Sequence, residues 1–301
     1  MSTSPSQDEF RKILNVDQLP AMPHSALSVL QLDNDVAKVN INDLVRPIES
    51  DPGLAAQVLK FLNSSYFGFQ STISNIKQGI ALVGIRIVKN FVLWKAVFSL
   101  IPKSKHAGFD VGLLWQDSLR RAMFSRFMLM EQKKGDPEIA FAGALLQDMA
   151  IPLLLKQNPE IYDKVLNKLT LDPTARLSTL EREAFGWTHA DAAGFLGRNW
   201  KLPPPLVAII ENHLDIERAV SDFDRHCELS IVTLTAFLPI SANEQWDEKA
   251  TFFSYFNTLF PGKMQTLAAL FTKVDQEYDQ YAAILQLAKP KTPMIDYWTN
   301  E

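Results

Sequence analysis

At Asp51-Pro52, Asp136-Pro137-Glu138, Asn158-Pro159-Glu160 and Asp172-Pro173 a side-chain oxygen able to cap a helix stands directly before a proline. Such an oxygen accepts from the orphan N–H groups of a first helical turn, and a proline there gives up no hydrogen bond. Thr188 followed by Asp191 resembles a capping box with Asp as a shorter partner than Glu. Behind these start signals apolar residues recur at helical spacing. No paired alternating runs are joined by Asn-Gly or Asp-Gly. The chain reads as all-α.

Helices are expected near 23–32, 41–49, 52–63, 75–83 and 86–100. The polar stretch 103–108, just after Pro102, reads as a hinge between two lobes. Longer helices follow near 109–131 and 137–150, then near 160–169, 178–185, 190–200, 204–213 and 224–238, with two or three more ending near Ala288. Pro290 and Pro293 mark the end as a tail.

Charge and cysteine content narrow the function classes. The 30 basic and 34 acidic residues give a net charge of −4, with only short basic groups such as Lys103-Ser104-Lys105 and Lys133-Lys134, so no nucleic-acid partner is expected. Cys227 is the only cysteine, so no intrachain disulfide forms, and a reducing, cytoplasmic setting is expected. The polar start, residues 1–10, has no signal-peptide core. Gln147, Asp148 and Pro152 interrupt the apolar stretch 139–155, so no membrane span is expected either.

Two acids stand out. The helix near 109–131 carries one apolar stripe, Leu119, Met123, Phe127 and Met130, and a second, Leu113, Phe124 and Met128, on its other side. A helix apolar on both sides is central, and Asp117 lies within the second stripe, with Arg120 and Arg121 at neighbouring positions. Asp148 is the lone charged residue between Ile139 and Leu155. An unpaired buried carboxylate costs several kcal/mol, so each needs a partner, a metal or an exposed cleft.

Four ordered blocks resemble the HDOD domains, relatives of the HD-type metal phosphohydrolases. They are Leu19-Pro20-Ala21-Met22-Pro23 with Ala26, Leu27 and Leu30; Ile48-Glu49-Ser50-Asp51-Pro52-Gly53-Leu54-Ala55; Leu62-Asn63-Ser64-Ser65-Tyr66-Phe67-Gly68; and Ile73-Ser74-Asn75-Ile76 through Ala81-Leu82-Val83-Gly84. The resemblance implies a multi-helix, two-lobe bundle over 19–213, with lobes at 19–105 and 106–213. Residues 1–18 precede it, and a helical extension at 214–301 packs on the second lobe. Asn63 and its neighbours read first as a helix end and turn, with Gly68 supplying positive φ. The other reading makes Asn63, Ser64, Tyr66 and Phe67 a partner- or ligand-binding group.

An HD hydrolase holds one or two divalent metals on histidines and aspartates to activate water. By the resemblance, Asp117 stands where such enzymes have their first histidine, and Gln147-Asp148 replaces the His-Asp pair. His189 and His213 match later histidines, and Ala236 takes the place of the last aspartate. These are read as vestigial metal-site positions with no catalytic residue, no metal and no cofactor. Asp148 is expected to pair with His189 or an arginine. A weak Mg or Mn site belongs only to the alternative reading.

No Gly-rich phosphate loop, Gly-x-Ser-x-Gly elbow or His-Glu-x-x-His occurs. His226 and Cys227 are adjacent and point about 100° apart on a helix, so they form no dyad. Cys227 reads as a small buried hydrophobe, His24 and His106 as surface residues, and Phe252, Phe253, Tyr255, Phe256 and Phe260 as core. The expected function is a non-enzymatic bacterial signal-transduction module that binds a signalling protein or a small ligand. The alternative is a metal-dependent phosphohydrolase acting on nucleotides or other phosphoesters.

Overall fold

The structure is a computed structural model that describes residues 10–11, 13–14, 21–32, 38–102, 105–106, 109–172, 175–285 and 287–299. The opening Leu19-Pro20 of the first sequence block, most of 1–18, Pro173 and four residues of the expected hinge lie outside these ranges. Helices α1 (His24–Leu30), α2 (Ile41–Glu49), α3 (Pro52–Leu62), α4 (Ile76–Val83) and α5 (Ile85–Leu100) come first in the chain. Within the stretch read as a hinge, β1 (Lys105–His106) pairs antiparallel with β2 (Phe109–Asp110), His106 opposite Phe109. Next come α6 (Val111–Gln132), α7 (Pro137–Leu146), α8 (Ile151–Gln157), α9 (Pro159–Leu171), α10 (Leu177–Phe185), α11 (His189–Asn199) and α12 (Pro204–Asn212). Beyond them lie α13 (Ile216–Ser221), α14 (Cys227–Thr235), α15 (Lys249–Leu259), α16 (Leu267–Leu285) and α17 (Met294–Thr299). The all-α reading holds.

Helix α6 is the axis, as its two apolar stripes require. It is buried from Trp115 to Leu129 and packs against α7, α14 and α16. The turn from α6 into α7 is tight. Gly135 has φ +70°, and a Cβ there would meet Cys227 Sγ at 2.5 Å, so only glycine lets α14 approach this closely. Asp51 caps α3 by accepting from Leu54 N at 3.0 Å, and Asp136 caps α7 by accepting from Glu138 N at 3.0 Å. Asn158 makes no side-chain cap, so that start signal is realised by Pro159 alone. Thr188 and Asp191 form the expected capping box at α11.

Where one helix was expected over 137–150, α7 stops at Leu146 and a new helix starts at Ile151. Pro152 has no N–H and its ring would clash with the carbonyl of Asp148 four residues earlier, which disfavours a continuous helix through this point. The break places Asp148 in a turn at the heart of the molecule. The stretch 137–157 is long and apolar enough to cross a membrane by composition, yet residues 140–155 are all buried inside the fold, where they serve as core.

The end of the chain is structured rather than a tail. Helix α17 buries Met294 and Tyr297, and Asp275 of α16 caps it by accepting from Met294 N at 2.8 Å and Ile295 N at 3.0 Å. The Tyr297 hydroxyl donates to the Asn243 carbonyl at 2.6 Å. Arg120, fully buried, donates to Ser241 Oγ at 3.3 Å and to the Thr292 carbonyl, tying this segment to α6. Of the aromatic group, Phe252, Phe256 and Phe260 are buried in the core, and Cys227 is buried beside Gly135. His24 is exposed.

Asp275→Ala should lower stability by about 1 kcal/mol, the usual cost of a lost helix cap. The urea midpoint should fall with no change in slope, and limited proteolysis should cut first after Leu287. A terminus that was a free tail would be cut there in the natural protein as well, and the substitution would leave the urea midpoint unchanged.

Candidate functional site

The polar centre is assembled from helix ends, where backbone groups have no intrahelical partner. Asp148 sits in the turn after α7, His189 is the first residue of α11, and His213 is the residue after α12. One ligand-type atom from each lies within 4.8 Å of the others, and all three residues are buried. His189 Nε2 is 3.4 Å and His213 Nε2 3.5 Å from Asp148 Oδ1. Arg121 of α6 bonds the other carboxylate oxygen, Oδ2, through Nη1. The expected pairing of Asp148 with His189 or an arginine occurs with both.

A second layer holds the two imidazoles. Glu181 of α10 accepts from the His189 backbone N–H at 2.9 Å and lies 2.6 Å from Nδ1 with the same oxygen, Oε2, while its Oε1 accepts from the Tyr162 hydroxyl. His213 Nδ1 is 2.7 Å from the Ile210 carbonyl. A carbonyl only accepts, so His213 carries its proton on Nδ1 and its Nε2 lone pair faces Asp148. That Nε2 has no hydrogen-bond partner among the described residues.

Charge decides what this cluster can do. Burial would push the Asp148 carboxyl up, but Arg121 and His189 hold it well below the ordinary carboxylate range. Burial also opposes an imidazolium at His189, yet Glu181 and Asp148 raise its pKa to about 10. Burial keeps His213 low, outweighing the pull of the nearby Asp148 charge. At neutral pH the cations Arg121 and His189 therefore balance the anions Asp148 and Glu181.

Three of the sequence-derived positions meet here and the others do not. Gln147 lies alongside, fully buried, with Oε1 accepting from Thr235 Oγ1 at 3.3 Å; it is not one of the three converging donors. Asp117 is turned elsewhere. Its Oδ1 accepts from Ser241 N at 2.8 Å and Ser241 Oγ at 2.6 Å, so it secures the C-terminal segment, and burial raises its pKa although Arg121 is near. Ala236 ends α14 and offers no ligand atom. Asn63 is structural: Nδ2 donates to the Leu59 carbonyl at 2.8 Å and the Ile73 carbonyl at 2.7 Å, and Oδ1 accepts from Ile73 N at 2.7 Å. Tyr66 packs against Tyr281 of α16 and Phe67 against Phe61, while Ser64 Oγ is buried without a partner among the described residues.

Sequence reasoning did not find Glu181, Tyr162 or Arg121 in these roles. Glu181 stands among ordinary charged neighbours on α10, which hides it. Arg121 could have been found by the logic that singled out Asp117, since a charge inside a helix apolar on both sides must face another charge.

The model of the HDOD domain family matches residues 19–216. The chain belongs to the HDOD domain family. It is 24% identical over 211 residues to an uncharacterized protein of Treponema pallidum and 34% identical over 92 residues to the uncharacterized protein YuxH of Bacillus subtilis. These matches cover 69% and 29% of this chain but 40% and 22% of the relatives, so the chain spans less than half their length. Among solved structures it resembles an HDOD domain protein of unknown function from Geobacter sulfurreducens, with a TM-score of 0.71, 18% identity, and 92% and 97% of the two chains covered. A candidate phosphohydrolase from Shewanella amazonensis gives 0.69 at 21% identity over 96% and 100% of the chains. A candidate signal transduction protein from Marinobacter aquaeolei gives 0.71 at 17% identity over 95% and 67%. At these identities the likeness concerns the fold.

The resemblance to HD-type hydrolases implies a divalent metal at this cluster. Two imidazole nitrogens and one carboxylate oxygen converge with suitable second-layer partners. Against this, a divalent ion roughly 5 Å from the Arg121 guanidinium is repelled by about 7 kcal/mol at an effective dielectric of about 20. Discharging His189 at neutral pH costs roughly 4 kcal/mol more. A complete four-ligand zinc site releases about 10–16 kcal/mol, and here three donors are present. While Arg121 holds Asp148, the residues do not fit a divalent ion.

The two shifted groups bound a window of stability. His189 is raised above its ordinary 6.5, so its contribution is fully present below about pH 6.5 and is lost as pH rises toward about 10. Asp148 is depressed, so its contribution is present above the ordinary carboxylate range and lost in acid. Urea unfolding at fixed pH should show stability falling between pH 6.5 and 10, and His189→Gln should flatten that limb. Equal slopes in the two proteins would refute the charged pair.

Proposed function

We propose that this HDOD chain is a non-enzymatic regulatory module of bacterial signal transduction, working in the cytoplasm by binding a signalling protein or a small ligand. The observation that carries this reading is the Arg121 guanidinium on Asp148 Oδ2. A permanently charged side chain stands against the carboxylate that a hydrolase would give to its metal, and the surrounding charges already balance without an ion. The cluster then acts as an internal joint binding α6, the α7–α8 turn, α10, α11 and α12 together. The solved protein from Marinobacter aquaeolei described as a candidate for signal transduction has this fold, which supports the reading.

One feature favours a second reading, a metal-dependent phosphohydrolase with nucleotide or phosphoester substrates. The His189 and His213 Nε2 atoms both point at Asp148 Oδ1, and His213 Nε2 has no hydrogen-bond partner among the described residues. In that reading Asp148, His189 and His213 would hold the ion, which would activate water.

Elemental analysis after equilibration with Zn, Mn or Mg, and hydrolysis assays on nucleotides and bis(p-nitrophenyl) phosphate, separate the two. The natural protein should retain well under one ion per chain and turn over nothing. Arg121→Gln removes the competing charge and should gain zinc affinity by tenfold or more, the return expected from removing several kcal/mol of repulsion. Stoichiometric metal in the natural protein, with turnover abolished by Asp148→Ala, would overturn the regulatory reading.

A further inference from the structure

A cleft open to solvent lies where α1 and α5 face α7 and α12, and none of Asp148, His189 and His213 lines it. One wall is α5 with Leu30 of α1; the other is the start of α7 with Leu206 of α12. Its lining is mostly apolar: Leu30, Ile85 and Leu93 face Ile139, Ala142 and Leu206. Polar groups cross it at two points. Arg86 Nη1 meets Asp136 Oδ2 at 3.2 Å, and Asn90 Nδ2 donates to the Glu138 carbonyl at 3.0 Å and to Glu138 Oε2 at 2.8 Å.

The charges on these walls are unequally committed. Glu138 Oε2 also accepts from the buried Arg126 Nη2 at 2.7 Å, so its charge is met from within the core. Asp136 Oδ1 caps α7. Arg86 is different: its side chain is 44% exposed and among the described residues it meets Asp136 through a single nitrogen, which leaves most of its five donors for another acceptor. Lys89, whose ammonium donates to the Leu32 carbonyl at 2.7 Å, adds positive charge to the same wall.

We propose that this cleft binds a small molecule with an apolar body and a single carboxylate, the carboxylate seated on Arg86 and the body between Ile85, Leu93, Ile139 and Leu206. An arginine fork recognises a carboxylate in two parallel hydrogen bonds, and the apolar lining takes the rest by the ordinary drive to leave water. A phosphate dianion would bring its second charge against Asp136 and Glu138. A nucleobase would find Asn90 as its one neutral side-chain amide in the lining. Because the acceptor on Arg86 spans the junction of α5 with α7, a carboxylate there competes with Asp136 for the contact that joins them. Occupancy is thereby coupled to how α5 meets α7.

This inference rests on the regulatory reading, since the ligand is sensed rather than transformed. Octanoate carries no phosphoester, so its binding and the hydrolysis assays above report on separate claims. Isothermal titration of the full chain with octanoate should show saturable binding of one molecule per chain. 1-Octanol and octyl phosphate should each bind about tenfold more weakly or worse, the value of a charge-assisted pair. Arg86→Gln, at an exposed position, should lose a similar factor with an unchanged far-ultraviolet spectrum. Ile139→Trp, which fills the cleft from a half-buried position, should abolish binding. Absence of saturable octanoate binding, equal affinity for 1-octanol or octyl phosphate, or undiminished binding by either variant would overturn the proposal.

Discussion

A carboxylate cannot stay ionised in a helical core unless something compensates the water it has lost, and Asp148 is compensated by Arg121 on one oxygen and His189 near the other. The chain just after it favours this arrangement. Pro152 breaks the apolar stretch four residues after Asp148, so the acid lands in a turn rather than on a helix face. From that turn it touches side chains of α6, α11 and the end of α12, and through His189 it reaches α10. Removing one partner of such a group costs about 3–5 kcal/mol, because the other charge stays behind unpaired. The geometry around Asp148 thus depends on one ion pair and its imidazole neighbours.

The same economy of buried charge appears at neighbouring positions of α6. Asp117 and Arg120 both engage Ser241, and Arg120 continues to the Thr292 carbonyl. Residues beyond the family-matched 19–216 are therefore integral to the central helix rather than an appendage. A third buried cation, Arg126, bonds Glu138 and lies 3.7 Å over the Phe141 ring, beside the junction of α5 with α7. Each arginine on α6 points in its own direction and meets a different part of the molecule, which explains how so charged a helix can be the axis of an apolar core.

A divalent ion and a guanidinium offer different solutions to the same buried carboxylate. The ion brings an open coordination position and chemistry; the guanidinium brings a fixed charge and five hydrogens, with nothing to activate water. In this chain the convergent Nε2 atoms of His189 and His213 keep the outline of the first solution. Arg121 supplies the second. That contrast separates scaffold from catalyst more sharply than the HDOD fold does, since the fold is common to structures described in both ways.

Much of the fold was legible because its signals are local. Asp-Pro starts, the Thr188–Asp191 box and apolar periodicity act within a turn or two of chain, and they marked all-α structure, the central helix and the two isolated acids. What was misread involved partners distant in sequence. The end of the chain looked like a tail because its caps, Asp275 and the Asn243 carbonyl, lie about 20 and about 50 residues upstream. Asp117 was grouped with Asp148 because both are lone acids, yet Ser241, 124 positions away, claims it. Residue types and their periodicity settle which segments bury their charges. Which opposite charge each one meets depends on helices brought together from far apart, and no local pattern encodes that meeting.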